Sequence, residues 1–302
     1  MRKVKIFLTI LLLIFTAWVL ILNTDEIKRW YKYNVSDKKY LKVVFLDIGQ
    51  GDSTFFEFSN GEQMVVDCSK DRRVLHGLGE VMWFYDRTID YLMITHPDLD
   101  HYGGCIDLLK RFEVENIIYN GVKKDSKFWE VFWNQYKQED ANYIIIDEPR
   151  KIQIASSTIQ FLYPDHRLGE SSHSSTTVGV ENTNNTSIVF TLKKGDNELL
   201  MTADAEKELE QYLSEKYNEE LRANIYKMGH HGSDSSSNEF FIEKVKPEVS
   251  IASAGKNNDF GHPAYIVVKR LRELGSKIWR TDQDGDVMIR VFEDSYEVVD
   301  EK

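Results

Sequence analysis

Tyr91-Leu92-Met93-Ile94-Thr95-His96-Pro97-Asp98-Leu99-Asp100-His101-Tyr102-Gly103-Gly104 is the stretch that decides the fold. Tyr91–Thr95 reads as a buried strand, and Cys105–Phe112 as the helix that follows it. Between them, His96, Asp98, Asp100 and His101 crowd into one loop. Alternate residues of an extended segment share a side, so His96, Asp98 and Asp100 can converge while His101 opens the next turn. A polar helix N-terminus with Asp as its cap is the plain alternative. It does not account for two histidines among the aspartates, because desolvating four such side chains without an ion would cost several kcal/mol.

Other polar positions at strand ends could complete such a centre. Asp204 follows the apolar strand Glu198–Met201, where it could equally be a helix N-cap. His230-His231-Gly232-Ser233 follows the strand Asn224–Met228, and Gly261-His262-Pro263 stands just before a helix. His76, His166 and His173 have no comparable setting and read as surface or loop residues.

Around these motifs the chain alternates strands and helices. Val43–Ile48, Ser53–Phe58 and Met64–Asp67 form a β-meander, with turns at Gly49-Gln50-Gly51-Asp52 and Asn60-Gly61. Further strands are expected at Val114–Tyr119, Tyr143–Ile146, Ile152–Ile154, Thr158–Leu162, Ser187–Leu192 and Val249–Ala254. Helices are expected at Ser126–Glu139, Glu206–Ala223, Asn238–Val245 and Ala264–Leu274, and a final hairpin at Asp282–Asp286. Phe128, Trp129, Phe132, Trp133 and Tyr136 make an aromatic helix face whose plainest use is core packing. Strands dominate both ends while helices interleave, which points to an α/β sandwich and not to an all-parallel doubly wound sheet.

Composition sets the outer bounds. The 302 residues, 42% hydrophobic and 29% charged, suit a globular chain and exclude a disordered or coiled-coil architecture. A net charge of −11 argues against broad, sequence-blind binding of nucleic acid but not against an enzyme that holds DNA or RNA briefly. Two cysteines cannot build a four-cysteine zinc site.

Residues 1–40 stand apart as an anchor and short linker, with the catalytic domain expected over 41–302. Arg2, Lys3 and Lys5 precede an uncharged run from Ile6 to Thr24. At roughly 1.5 Å per residue that run is about 28 Å long, close to the thickness of a bilayer's hydrocarbon. A cleaved signal usually ends in a small-x-small site, and Val19-Leu20-Ile21-Leu22-Asn23 offers none. The expectation is one transmembrane helix with a cytoplasmic N-terminus and an outer domain, secretion being the alternative. An exterior location would permit a disulfide between Cys68 and Cys105, though two small buried thiols are the plainer reading.

With these motifs in order, the chain resembles the metallo-β-lactamase superfamily, and more closely the ComEC-type competence hydrolase domain and its free-standing relatives. The resemblance runs over nearly all of 41–295. It rests on Phe45-Leu46-Asp47-Ile48-Gly49-Gln50-Gly51-Asp52, Val65-Val66-Asp67, the His96 loop, Asn184-Asn185-Thr186-Ser187, Thr202-Ala203-Asp204, His230-His231-Gly232-Ser233, Gly261-His262-Pro263 and Arg280-Thr281-Asp282-Gln283-Asp284-Gly285. It implies an αββα sandwich with its site at one edge. It also implies two divalent metal ions, Zn or Mn: His96 and Asp98 at one, Asp100 and His101 at the other, Asp204 bridging, and His262 completing the second. Asp67 would brace the ligand loop. Asp98 stands where most of the superfamily has His, and Asn184-Asn185 lies near the place of an absent third histidine, which makes a harder ion more plausible. Ala203 replaces the family's Gly before Asp204, so the local turn is expected to differ. One span replaces a polytopic channel, so DNA translocation is not expected of this chain by itself.

Two ions about 3.5–4 Å apart would activate a bridging water and neutralise a developing oxyanion. Asp204 would orient that water, while His230 and His231 would stabilise the substrate oxyanion or protonate the leaving group. On this assignment His231→Ala should leave metal content near normal. A phosphodiester suits such a clamp, with single-stranded DNA among the candidate substrates. Relatives that cleave phosphocholine esters or lactones keep similar ligands, and an inactive metal-binding module is the reading from another class.

Overall fold

The computed structural model describes residues 39–168 and 182–299, with short helical pieces at 10–12 and 15–16. The expected transmembrane helix lies largely outside the described residues, as does His173. Among the described residues no helix is long and apolar enough to cross a membrane.

Two sheets face each other. The first has strand order β15-β14-β1-β2-β3-β4-β5-β6. Its strands are β1 (Leu41–Phe45), β2 (Thr54–Glu57), β3 (Gln63–Val66), β4 (Thr88–Ile94), β5 (Glu113–Tyr119), β6 (Asn142–Ile145), β14 (Val287–Val291) and β15 (Tyr296–Val299). The second has order β13-β12-β11-β10-β9-β8-β7. It comprises β7 (Arg150–Ile154), β8 (Ser157–Tyr163), β9 (Val189–Lys194), β10 (Asn197–Met201), β11 (Ile225–Lys227), β12 (Val249–Ala252) and β13 (Lys277–Arg280). Phe45, Phe56, Met93, Phe161, Phe190, Met201 and Ile251 belong to the apolar layer between the sheets.

Helices cover both outer faces. On the first sheet lie α1 (Arg73–Val81), α2 (Leu99–Tyr102), α3 (Cys105–Leu108) and α4 (Lys127–Tyr136). On the second lie α5 (Lys207–Tyr217), α6 (Glu239–Val245) and α7 (Tyr265–Glu273), while α8 (Thr281–Asp284) links β13 to β14. This is the αββα sandwich. Strands such as β2 and β3 are buried on both faces, so they read as apolar runs without alternation.

The meander of β1, β2 and β3 forms antiparallel as expected, and β3 to β6 then run parallel. In the second sheet β10 to β13 also run parallel. These parallel sets bring the C-terminal ends of β3, β4, β10, β11 and β12, with the start of antiparallel β2, to one edge of the sandwich. Side chains after a strand end at such an edge can converge on a ligand.

Four expectations need correction. No hairpin turns at Asp282–Asp286: β13 pairs with β12 in one sheet and β14 with β1 in the other, and the hairpin closing the chain is β14–β15. The Glu206–Ala223 helix breaks at Asn218 (φ 45°) into α5 and a 3-10 turn, Asn218–Leu221. The Cys105–Phe112 helix stops at Leu108. Cys68 and Cys105 are joined by a disulfide with Cα atoms 5.2 Å apart, because Cys68 accompanies Asp67 beneath the ligand loop and the Gly103-Gly104 turn brings Cys105 against it. Helix α1 is an addition. Gly77 within it packs where a Cβ would sit 3.0 Å from Leu46, so the glycine that weakens the helical signal is the one that lets the helix dock. In the aromatic stripe, Trp129, Phe132 and Tyr136 are buried core, and Phe128 faces solvent.

Candidate metal centre

His96 leaves the end of β4 fully buried. Its Nδ1 lies 3.1 Å from Thr95 Oγ1 and 3.4 Å from Ser187 Oγ, which turns Nε2 toward the strand-end cluster. That Nε2 is 3.8 Å from Asp98 and 4.0 Å from Asp204. Asp67, after β3, accepts from the Thr95 backbone N–H (2.9 Å) and hydroxyl (2.7 Å) and contacts His101 Nδ1 at 2.8 Å. It therefore braces the loop and aims His101 Nε2 at Asp204, 3.3 Å away.

Asp204 sits in a turn after β10 whose preceding residue, Ala203, takes φ 45°. The left-handed turn that a glycine would adopt freely is thus kept by an alanine, at about 1–3 kcal/mol of strain. His230 and His231 follow β11 with φ 46° and 55°. Two successive left-handed residues that are not glycine are a strain concentrated where both imidazoles must turn inward.

His231 Nε2 ends 3.4 Å from Asp100 and 3.6 Å from Asp204. Its Nδ1 meets Asp52 and the Ser253 carbonyl, each at 3.1 Å. Asp52 in turn is paired at 2.6 Å with Lys227, a lysine buried at the end of β11. The sequence reading missed this support. The signal for it was a lysine inside the apolar strand Ile225–Lys227, which needs a buried counter-charge.

The structure brings His96, Asp98, Asp100, His101 and Asp204 together, with His231 in their midst. The donor atoms of His96, His101 and Asp204 all lie within 4.8 Å of one another, as do those of Asp100, His101 and His231. His262 joins no such group among the described residues: its ring stands 5.6 Å from that of His230 and 6.1 Å from that of His231. His231, expected to face the substrate, thus has its Nε2 inside the cluster, while His262 stands beside it with its own Nδ1 buried and without a partner among the described residues. His230 lies at the rim, with Nε2 3.8 Å from Asp204 and Nδ1 3.1 Å from Glu206. Asn184 and Asn185 donate to Glu206 and Glu208, away from the cluster. His76 and His166 are exposed, as expected.

A divalent ion fits here on one direct observation. His96 Nε2, His101 Nε2, His231 Nε2 and Asp204 Oδ1 are all buried without a hydrogen-bond partner among the described residues. Orphaned buried donors and acceptors cost about 1–3 kcal/mol each, and four gathered in one cluster are what bound cations would satisfy. The electrostatics agree. Burial opposes charge on His231, but Asp204 and Asp52 outweigh it and raise its pKa to about 10. His101 is likewise raised well above the usual imidazole range against its burial, by Asp204 and Asp67. Burial, then the charge of His101, holds His96 down at about 4. Asp204, despite burial, is held well below the carboxylate range by His101 and His231. The carboxylates stay ionised in a place that only cations make tolerable.

The family model described as the metallo-beta-lactamase superfamily matches residues 84–256. ComE operon protein 3 of Bacillus subtilis is 29% identical over 270 residues, covering 82% of this chain and 33% of that protein. Recombination protein 2 of Haemophilus influenzae is 27% identical over 262 residues, covering 85% and 30%. The chain thus spans about a third of the length of these curated relatives. The crystal structure of the metallo-beta-lactamase fold protein YhfI from Bacillus subtilis superposes with a TM-score of 0.51 at 14% identity, over 80% of this chain and 95% of that one, a likeness of fold alone.

Proposed function

The chain belongs to the metallo-beta-lactamase superfamily, and from that premise we propose that it is a metal-dependent phosphodiesterase whose substrates include single-stranded nucleic acid. The observation that carries this reading is the convergence of four orphaned buried atoms between ionised carboxylates. His96, Asp98 and Asp204 would hold one ion, and Asp100, His101, His231 and Asp204 the other. Zn²⁺ or Mn²⁺ bound there supplies Lewis acidity toward a phosphoryl oxygen and lowers the pKa of a water.

The chain's own residues do the rest. Asp204, central to both groups, fixes their spacing. His230, whose burial is outweighed by a hydrogen bond to Glu206 and the charge of Asp204, has a raised pKa and is suited to donate a proton to a leaving oxygen at the rim. A diester is preferred to a lactone because two adjacent donor groups suit the attacking and leaving oxygens of an in-line displacement. The name of one relative, Recombination protein 2, supports trying nucleic acid first. The run Ile6–Thr24 behind Arg2, Lys3 and Lys5 supports a single-pass membrane protein with this domain outside.

The test is the full chain with Mn²⁺, Zn²⁺ or EDTA on a single-stranded oligonucleotide, bis-p-nitrophenyl phosphate and a lactone. Chelator-sensitive cleavage of both diesters is expected. Cleavage of the lactone alone would reassign the substrate class, and metal binding without any hydrolysis would make the domain a binding module.

A further inference from the structure

We propose that Phe260, stacked on His262 at the rim of the metal centre, is the platform that takes a nucleobase of the substrate; this deepens the nucleic-acid reading above and rests on it. Phe260 is 69% exposed. A single exposed aromatic needs no explanation by itself. This one is held in place. The Asn258 side chain donates to the Gly255 carbonyl (2.9 Å) and the His262 carbonyl (2.6 Å), and accepts from the backbone N–H groups of Phe260 (3.1 Å) and His262 (2.9 Å). One asparagine thus uses both ends of its amide to fix the loop. The loop is in turn docked on the Gln50 turn, where Gly255 donates to Gln50 Oε1 at 3.2 Å and a Cβ on Gly255 would sit 2.7 Å from Gln50 N.

The loop presents rings in series. Phe260 and His262 are 5.6 Å apart at an interplanar angle of 26°, and His262 and His231 are 6.1 Å apart at 31°. The series runs from His231, inside the cluster, outward to Phe260. A residue that ends such a series in solvent offers a flat π-face two ring contacts away from the reacting end. Planar bases stack on such a face whatever their sequence. A quaternary ammonium such as choline is held by several rings set at angles around it, and two near-parallel rings stacked on one another make no such cage. The ring series also gives an acidic chain a way to hold nucleic acid without a basic stripe.

The experiment compares a fluorescein-labelled dT oligonucleotide with an abasic strand of the same length, by anisotropy with the full chain and Ca²⁺. The wild-type chain is expected to prefer dT by about 5- to 150-fold, the range of base–aromatic stacking. Phe260→Ala should collapse that preference and Phe260→Trp should keep it. Absence of preference in the wild type, or its survival in Phe260→Ala, overturns the platform, as does competition by phosphocholine that is lost in Phe260→Ala while the affinity for dT is unchanged. Hydrolysis with Mn²⁺ is read separately: diester cleavage without base preference removes the platform and leaves the proposed function, and base preference without cleavage does the reverse.

Discussion

On one side of Asp204, His101 and His231 each have a buried carboxylate behind Nδ1, Asp67 at 2.8 Å and Asp52 at 3.1 Å. On the other side, His96 has the hydroxyls of Thr95 and Ser187 behind it, and no carboxylate hydrogen-bonded to Nδ1 among the described residues. Three imidazoles face one carboxylate, yet their proton affinities part: His231 rises to about 10 and His96 falls to about 4. A carboxylate behind an imidazole fixes its orientation and raises its basicity as a ligand. Asp98, which would complete the His96 side, is already engaged by Lys124 (2.5 Å) and Thr183 (2.8 Å). The two halves of the centre are therefore unequal, the His101 half braced and basic, the His96 half neutral and partly occupied by a lysine.

The largest effect should come from the residue that both halves share. Asp204→Ala removes the carboxylate facing His96, His101 and His231, and hydrolysis should fall by about 1,000-fold or more, while thermal melting of the protein changes little because the inter-sheet core lies elsewhere. Steady-state kinetics on a diester and bound-metal analysis check this together. Unchanged turnover would break the comparison at its centre.

Next is His231→Ala. From its inward Nε2, this change should weaken metal binding on the braced half by more than about 100-fold, exceeding the loss usual for a supporting residue alone. Titration against a chelating dye reads it. Normal metal content with slower turnover would instead return His231 to a substrate-facing role.

The inward place of His231 shows what the chain disclosed in advance. The His96 loop was legible because four ionisable residues in one short loop have no plain structural use, and Asp204 because it follows an apolar strand. The inward place of His231 was not legible, since it is one of several histidines beside glycine at an element boundary, and the left-handed backbone at His230 and His231 is what turns it inward. The β-meander followed from local turns. The separation of β13 and β14 into different sheets depends on partners more than 200 residues apart for β14, and a Gly-containing turn between two strands carries no record of that. Asp52 was seen only as part of a turn, because its partner Lys227 lies far along the chain.

The pH dependence of metal affinity should sharpen the same inequality. A group whose folded pKa is raised stays protonated up to that pKa, so a cation must displace its proton at every pH below. For the His231 half this penalty shrinks as pH rises toward about 10, so affinity should climb by up to about tenfold per pH unit for each proton released. His96, at about 4, is neutral throughout the working range and should contribute no slope above pH 5. Affinities measured by calorimetry between pH 6 and 8.5 decide it, and a flat profile would mean that the braced histidines are not the ligands.

The smallest effect tests the other half. Lys124 is 40% exposed at its side chain, so its attraction to Asp98 is screened, and a surface pair of this kind is worth about 0–1 kcal/mol. In an ion-binding site the sign of its removal is opposite to that of every change above. Lys124→Met removes an ammonium from Asp98 Oδ1 while Thr183 still donates to that same oxygen and Oδ2 keeps its place toward His96, so a cation on the His96 half no longer meets a positive charge paired with its carboxylate. Metal affinity on that half should rise by about two- to fivefold, as follows from the energy of such a pair. The gain should shrink as salt is added, because screening already weakens the lysine's hold. Two-site calorimetric fits at low and high salt measure both changes. If affinity falls instead, Lys124 is orienting Asp98 for the ion and not competing with it, and the two halves would then be equally braced, one by carboxylates and the other by a lysine.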